Sequence, residues 1–249
     1  QEELYWFGMA QAISALNPSE RIGPHAFTKG GYYTLTDTDQ SLTFVRCGAY
    51  KDRPAQADNL HLDIWVRGHN LLHDAGSYRY NTDPKWVRYF MGTASHNTVQ
   101  LADLDQMQKG SRFIWYNWIK EAEGQWHETP EYLQFVGSFV GYRTLGTHIR
   151  HRRIITKTRQ QPEWTVEDTL TGAPDDLPMH QLWHLSDFFT ELAHIEAFDR
   201  DGSPIPPGLT EGWYSSFYGV KTPCKRLVFT TQDRYIRSKI TVFPSPQAH

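Results

Sequence analysis

The sequence is poor in cysteine: Cys47 and Cys224 are the only two in 249 residues, too few for a disulfide framework. They could pair only if the fold brings them together, so the redox compartment stays open. No apolar run approaches the roughly 20 residues that span a bilayer, which argues against membrane insertion. Gln1 onward lacks the basic-then-apolar pattern of a secretion signal, a sign that processing or truncation would erase. An excess of charge is missing too. Lys+Arg 25 against Asp+Glu 28 leaves a formal net charge of -3, without the positive field that nucleic acid or an anionic membrane requires. Phosphate-loop, dinucleotide, zincin and serine-hydrolase motifs are all absent.

What is abundant is aromatic: Trp 9, Tyr 13 and Phe 13, rings that suit sheet faces and also sugar platforms. With 39% apolar residues the chain can enclose a sizeable core. Leu4, Phe7, Ala10, Ile13 and Leu16 fall near helical spacing and stop at Asn17-Pro18, giving the one convincing helix. The remainder predicts strands. Tyr32 to Leu35 and Leu42 to Arg46 flank a polar turn as a hairpin would, and Leu60, Leu62, Ile64 and Val66 alternate with His61, Asp63 and Trp65. Further extended segments are expected at Thr98 to Leu101, Phe113 to Ile119, Tyr132 to Phe139, His148 to Thr156, Trp164 to Leu170, Arg226 to Thr231 and Tyr235 to Phe243. The last four read as two hairpins. Asp199 to Gly212, rich in Pro and Gly, reads as a long surface loop. No helical pattern alternates with the strands, which points to an all-β fold of stacked antiparallel sheets.

The basic stretch His148, Arg150, His151, Arg152, Arg153 and Lys157 fits the wetted face of a strand, with an anionic-ligand surface as the alternative. Polar residues concentrate between Asp52 and Gln106. His61 and Asp63 share a strand face and could bind a metal or simply hydrogen-bond between strands. Asp74, before Ala75-Gly76, and His96, at the start of a strand, could meet across neighbouring strand ends, or could merely satisfy a turn and cap a strand. Tyr78, Tyr80 and Tyr89 supply phenols for packing or for proton transfer.

Three blocks together carry a resemblance: Arg53-Pro54-Ala55-Gln56-Ala57-Asp58-Asn59-Leu60-His61-Leu62-Asp63, Asn70-Leu71-Leu72-His73-Asp74-Ala75-Gly76-Ser77-Tyr78-Arg79-Tyr80, and Thr93-Ala94-Ser95-His96-Asn97-Thr98 followed by Asp105-Gln106. In this order they resemble the heparinase II/III-like family over about residues 20 to 243. The resemblance implies an antiparallel β-sandwich over 19–249, preceded by one short helix (1–18) left from an absent α/α-toroid. It implies a polysaccharide lyase that cleaves uronate-containing glycans by β-elimination, with an acidic polysaccharide and the N-terminal toroid domain as partners. A periplasmic or cell-envelope location goes with that reading, a cytoplasmic one staying open.

The resemblance also implies roles. Tyr89 matches a proton-carrying tyrosine, with Tyr80 as competitor because the Thr82 to Phe90 loop is variable. Arg53, Gln56 and Asn97 would contact substrate, and Gln56, Asp74 and His96 would hold a structural divalent metal, zinc first. The family's block before Asp58 resembles Gly-His-x-His-x-Asp, so Pro54 and Gln56 stand where two histidines are expected. Proline cannot titrate, and an amide oxygen is a poorer zinc ligand than imidazole. A catalytically diminished glycan-binding or scaffold domain is therefore the alternative.

Overall fold

The computed structural model describes residues 22–146 and 148–244. The helix expected from Leu4 to Asn17 lies outside them. Strands β1 (Gly23–Phe27), β2 (Tyr32–Thr36), β3 (Ser41–Arg46), β4 (His61–Val66) and β5 (His69–Leu72) form an antiparallel meander. Helix α1 (Pro84–Met91) and a 3-10 turn (Thr93–Ser95) lead into β6 (Val99–Leu101), followed by the small ribbon β7 (Gln108–Lys109) and β8 (Trp115–Tyr116). A second meander has β9 (Ala122–Glu128), β10 (Tyr132–Gly141), β11 (Ile149–Thr158) and β12 (Glu163–Thr171). The chain then alternates between layers through β13 (Met179–Leu185), α2 (Phe189–Leu192), β14 (Ala193–Phe198), β15 (Pro204–Ile205), β16 (Pro207–Tyr214), β17 (Thr222–Thr231) and β18 (Tyr235–Val242).

One sheet runs β1-β2-β3-β4-β5-β13-β17-β16, with β6 also on β13; the other runs β15-β14-β18-β12-β11-β10-β9. Their inner faces share one apolar core that includes Leu62, Ile64, Phe135, Ile155, Trp164 and Ile240. This is the expected antiparallel sandwich. The alternation in β4 holds as read: Leu62, Ile64 and Val66 are buried while Trp65 is 40% exposed on the outer face.

Four expectations change. The polar turn Thr231-Gln232-Asp233-Arg234 does not close a hairpin, because β17 pairs with β13 and β16 in one sheet while β18 lies between β12 and β14 in the other. The proline-rich stretch from Asp199 is not a long loop: it carries β15 and β16, both at sheet edges, where a missing N–H costs no ladder bond. The Thr82 to Phe90 loop is largely α1, capped by Asp83, whose carboxylate accepts from Lys85 N–H, with Pro84 in the first turn. Finally, the basic residues of β11 divide between its two faces: Arg150 and Arg152 lie on the outer face as expected, but the other three do not. His151, Arg153 and Lys157 alternate in phase with Ile149 and Ile155 and are all 0% exposed.

The buried cations Arg153 and Lys157 are tolerated because each meets an anion, and the His151 imidazole shares one of them. Arg153 grips Asp168, its partner across β11 and β12, through Nε and Nη2 at 2.7 Å each, and His151 Nε2 reaches the same carboxylate at 2.8 Å. Lys157 donates to Asp37 and Asp39 at 3.1 and 2.7 Å. Arg153 also crosses the core: its Nη1 donates to the carbonyls of Leu60 and Asn97, at 2.7 Å each, so the second sheet braces the main chain on which the polar cluster of the first is built.

Candidate functional site

Three of the polar positions converge. His61 opens β4, Asp74 follows β5, and His96 follows the 3-10 turn. Asp74 Oδ2 lies 2.7 Å from His96 Nδ1 and 3.6 Å from His61 Nε2. The carboxylate and imidazole expected to meet across strand ends thus do so. Asp74 Oδ1 accepts the Gly76 N–H at 2.7 Å, which fixes the turn after it. Asp63, also on the outer face of β4, stands apart from this group and accepts from Asn70 Nδ2 at 3.5 Å.

Asn97 assembles the cluster from below. Its N–H donates to His61 Nδ1 at 3.0 Å, its Nδ2 donates to the Leu62 and His73 carbonyls, and its Oδ1 accepts the His184 N–H at 2.6 Å. With 0% exposure and a fully engaged amide, Asn97 holds β4, β5 and β13 together.

The electrostatics follow from burial and pairing. Burial pushes the Asp74 carboxyl up, but the His96 and His61 imidazoles outweigh it and hold Asp74 well below the ordinary carboxylate range. Burial pushes His96 down, and the Asp74 charge and hydrogen bond reverse this, leaving its pKa raised. At His61 burial wins and the pKa falls to about 4. Burial, then the Asp74 charge, pushes Asp63 up to about 7.

His61, Asp74 and His96 could coordinate a metal ion: their donor atoms lie within 4.8 Å of one another. The Nε2 atoms of both histidines are buried and lack a protein partner, as unfilled ligand positions would be. The fit is complete for Asp74 and His96. It is conditional for His61, because accepting the Asn97 N–H at Nδ1 leaves the neutral ring's proton on Nε2, and ligation there would require giving up that hydrogen bond. Gln56 lies to one side, its Nε2 donating to the Gly76 and Phe90 carbonyls at 3.3 and 3.0 Å.

The two tyrosines face different surroundings. Tyr89, on α1, accepts the Trp213 N–H at 2.8 Å and lies 3.4 Å from His184 Nε2; burial pushes its pKa up to about 12. Tyr80 is 66% exposed and lines two adjoining hollows of about 770 and 410 Å³ that also share Val87 and Phe113. Arg88, Lys109 and Arg112 line the larger one, while Arg53, Gln56 and Arg79 line the smaller. No carboxylate lines either. The cleft is therefore cationic in a chain of net negative charge, and it brings together Arg53, Gln56 and Tyr80.

Sequence reasoning missed His61 as a partner of Asp74 and His96, because its periodicity joined it to Asp63. It also missed Arg79 in the segment between β5 and α1, Arg88 in α1, Lys109 at the end of β7 and Arg112 in the turn between β7 and β8. The one available signal was Lys109-Gly110-Ser111-Arg112, a basic turn between short extended segments.

Residues 20–242 match the family model described as "Heparinase II/III-like, C-terminal". Among solved structures, a heparan sulfate lyase HepC from Pedobacter heparinus superposes with a TM-score of 0.76 at 16% identity, covering 99% of this chain and 41% of that one. A "Heparinase III-BT4657 gene product" gives 0.73 at 17% identity, covering 92% and 37%, and a further heparinase III gives 0.72 at 14%, covering 88% and 36%. At these identities the likeness establishes the fold, and the chain spans well under half of each of those proteins. No curated protein sequence is significantly similar to it.

Proposed function

Since the chain belongs to the heparinase II/III-like C-terminal family, we propose that it is the sandwich portion of a polysaccharide lyase. With an N-terminal α/α-toroid domain it would act on uronate-containing glycans by β-elimination. The observation that carries this reading is the cleft beside Tyr80: five cationic side chains, Arg53, Arg79, Arg88, Lys109 and Arg112, line it without a single carboxylate.

β-Elimination requires that the uronate carboxylate be neutralised, that the neighbouring C–H proton be removed, and that the departing glycosidic oxygen receive a proton. Arg53 and Arg112 supply positive charge for the first step. Tyr80, between them and free of burial, is the sandwich phenol placed to exchange a proton with substrate, while Tyr89, turned toward Trp213 and His184, holds α1 against the sheet. A zinc ion held by Asp74 and His96, with His61 or Gln56, would supply fixed positive charge that pins the turn behind the cleft. The toroid would provide the remaining groups.

A second reading, a glycan-binding domain of diminished activity, is favoured by Pro54 and Gln56 at the two family histidine positions. The test is the full-length protein on alginate, heparan sulfate and other uronate polymers. Unsaturated product absorbing in the ultraviolet supports the lyase, binding without such product supports the second reading, and the absence of both product and binding overturns both.

A further inference from the structure

Exposed aromatic side chains that are held rigidly call for an explanation, and the loop joining β16 to β17 (215–221) presents one. Tyr218 is 65% exposed, yet the loop around it is tied down on both sides. Ser215 N–H donates to the Ala75 carbonyl at 2.8 Å, Gly219 N–H to the Tyr78 carbonyl at 2.9 Å, and Arg79 Nη2 to the Gly219 carbonyl at 3.1 Å. The Tyr218 hydroxyl itself accepts the Tyr80 N–H at 3.3 Å. The loop's last residue, Lys221, places its ammonium between two indoles, 3.9 Å from the Trp86 ring centre and 3.8 Å from that of Trp213.

This latch sets three rings in a row. The Tyr218 and Tyr80 centroids are 5.6 Å apart, as are those of Tyr80 and Phe113, and the Arg53 guanidinium lies 5.6 Å over Phe113. Tyr80 and Phe113 belong to the cationic cleft, so the row continues that cleft onto the 215–221 loop. Tyr218 and Tyr80 are tilted by 53° to each other. Rings stacked on the two would be rotated relative to one another, as successive sugars in a glycosidic chain are. A ring already fixed by its neighbours loses little freedom on binding, so such a surface is prepared for a ligand before it arrives.

We propose that Tyr218 and Tyr80 form a stacking subsite for consecutive pyranose rings of an anionic oligosaccharide whose charges face the Arg53 and Arg112 side of the cleft. The subsite rests on the glycan reading above and deepens it: the site takes an internal stretch of chain, and Tyr218 contributes to recognition by length, independent of charge.

Isothermal titration of the full-length protein with size-graded heparan sulfate and alginate oligosaccharides tests this. Tyr218→Ala is expected to weaken hexasaccharide binding about tenfold, the scale of one lost ring contact, with little change for disaccharides and an unchanged salt dependence. Tyr218→Phe, which keeps the ring and loses the hydroxyl latch, retains affinity. Hexasaccharide binding by Tyr218→Ala equal to the unaltered protein overturns the subsite while leaving the glycan reading in place. Equal weakening in Tyr218→Phe and Tyr218→Ala also overturns it, by making Tyr218 a structural latch. Failure of the unaltered protein to bind any of these oligosaccharides overturns both.

Discussion

His96 and Asp74, 22 positions apart in sequence, share a 2.7 Å hydrogen bond between Nδ1 and Oδ2, and the imidazole is wholly buried. Asp74→Asn removes the charge that raises the His96 pKa and is expected to cost about 2 kcal/mol, the scale of a charge-assisted hydrogen bond. Denaturant unfolding measures that loss, and NMR titration should show the His96 pKa falling. Zinc added to metal-stripped protein is expected to raise Tm in the unaltered chain and to leave Asp74→Asn unmoved. An unmoved Tm in both would leave the hydrogen bond as the cluster's whole role.

Arg153→Met strands the Asp168 carboxylate in the core with only His151 and Gln181 as partners. The expected loss is about 3–5 kcal/mol by chemical denaturation, typical of breaking a buried pair from one side. The double variant Arg153→Met with Asp168→Leu should recover much of it, because no uncompensated charge remains.

Gly76 has φ +82°, and a methyl group there would overlap the Ser215 carbonyl oxygen. Gly76→Ala is expected to cost about 1–3 kcal/mol of local strain. Since Ser215 begins the 215–221 loop, hydrogen exchange at Ser215 and Gly219 should accelerate, while amides in β11 keep their protection.

Stability should fall as the pH drops below 6.5. Burial lowers the pKa of His151 and His184 from that ordinary value, so the unfolded chain takes up protons that the native one refuses, and native stability declines with acid. Asp74 and Asp168, held below the usual 3.8, add a second loss below that pH. Asp63 works the other way: raised to about 7, it favours the native state at low pH, and its contribution is lost as pH rises from 3.8 to 7. Tm measured from pH 7.5 to 4.5 should therefore decline, and Asp63→Asn should steepen the decline.

Arg112→Glu reverses one charge on the cleft wall. Binding of anionic oligosaccharides is expected to weaken and to depend less steeply on salt, whereas thermal stability should stay within about 0.5 kcal/mol, as for an ordinary surface substitution.

Much of the fold was legible because its signals are local. The period-2 pattern of β4, the β2–β3 turn and the β11–β12 turn each declare themselves within about ten residues. The exchange of layers after Thr231 was not, because a polar turn looks the same whether the next strand pairs beside the last or crosses over. Burial of His151, Arg153 and Lys157 was hidden for a related reason: residue type argues for solvent, and only the distant Asp168, Asp37 and Asp39 reverse the argument. At the site, Asp74 and His96 could be paired from their positions at strand ends, whereas His61 needed the Asn97 hydrogen bond to reveal which way its ring points. The cationic cleft was least legible, since its arginines arrive from separate turns and α1.

The placement of β18 between β12 and β14 has a consequence for synthesis. Until residues 235–242 leave the ribosome, β12 and β14 of the second sheet each keep a bare edge, and the first sheet has no complete surface to close against. The sandwich must wait, still sticky, for an inner strand that follows every other described strand in sequence. Substitutions that slow the closing of Tyr235–Val242 should thus lower soluble yield in cells well before they lower the stability of the finished molecule.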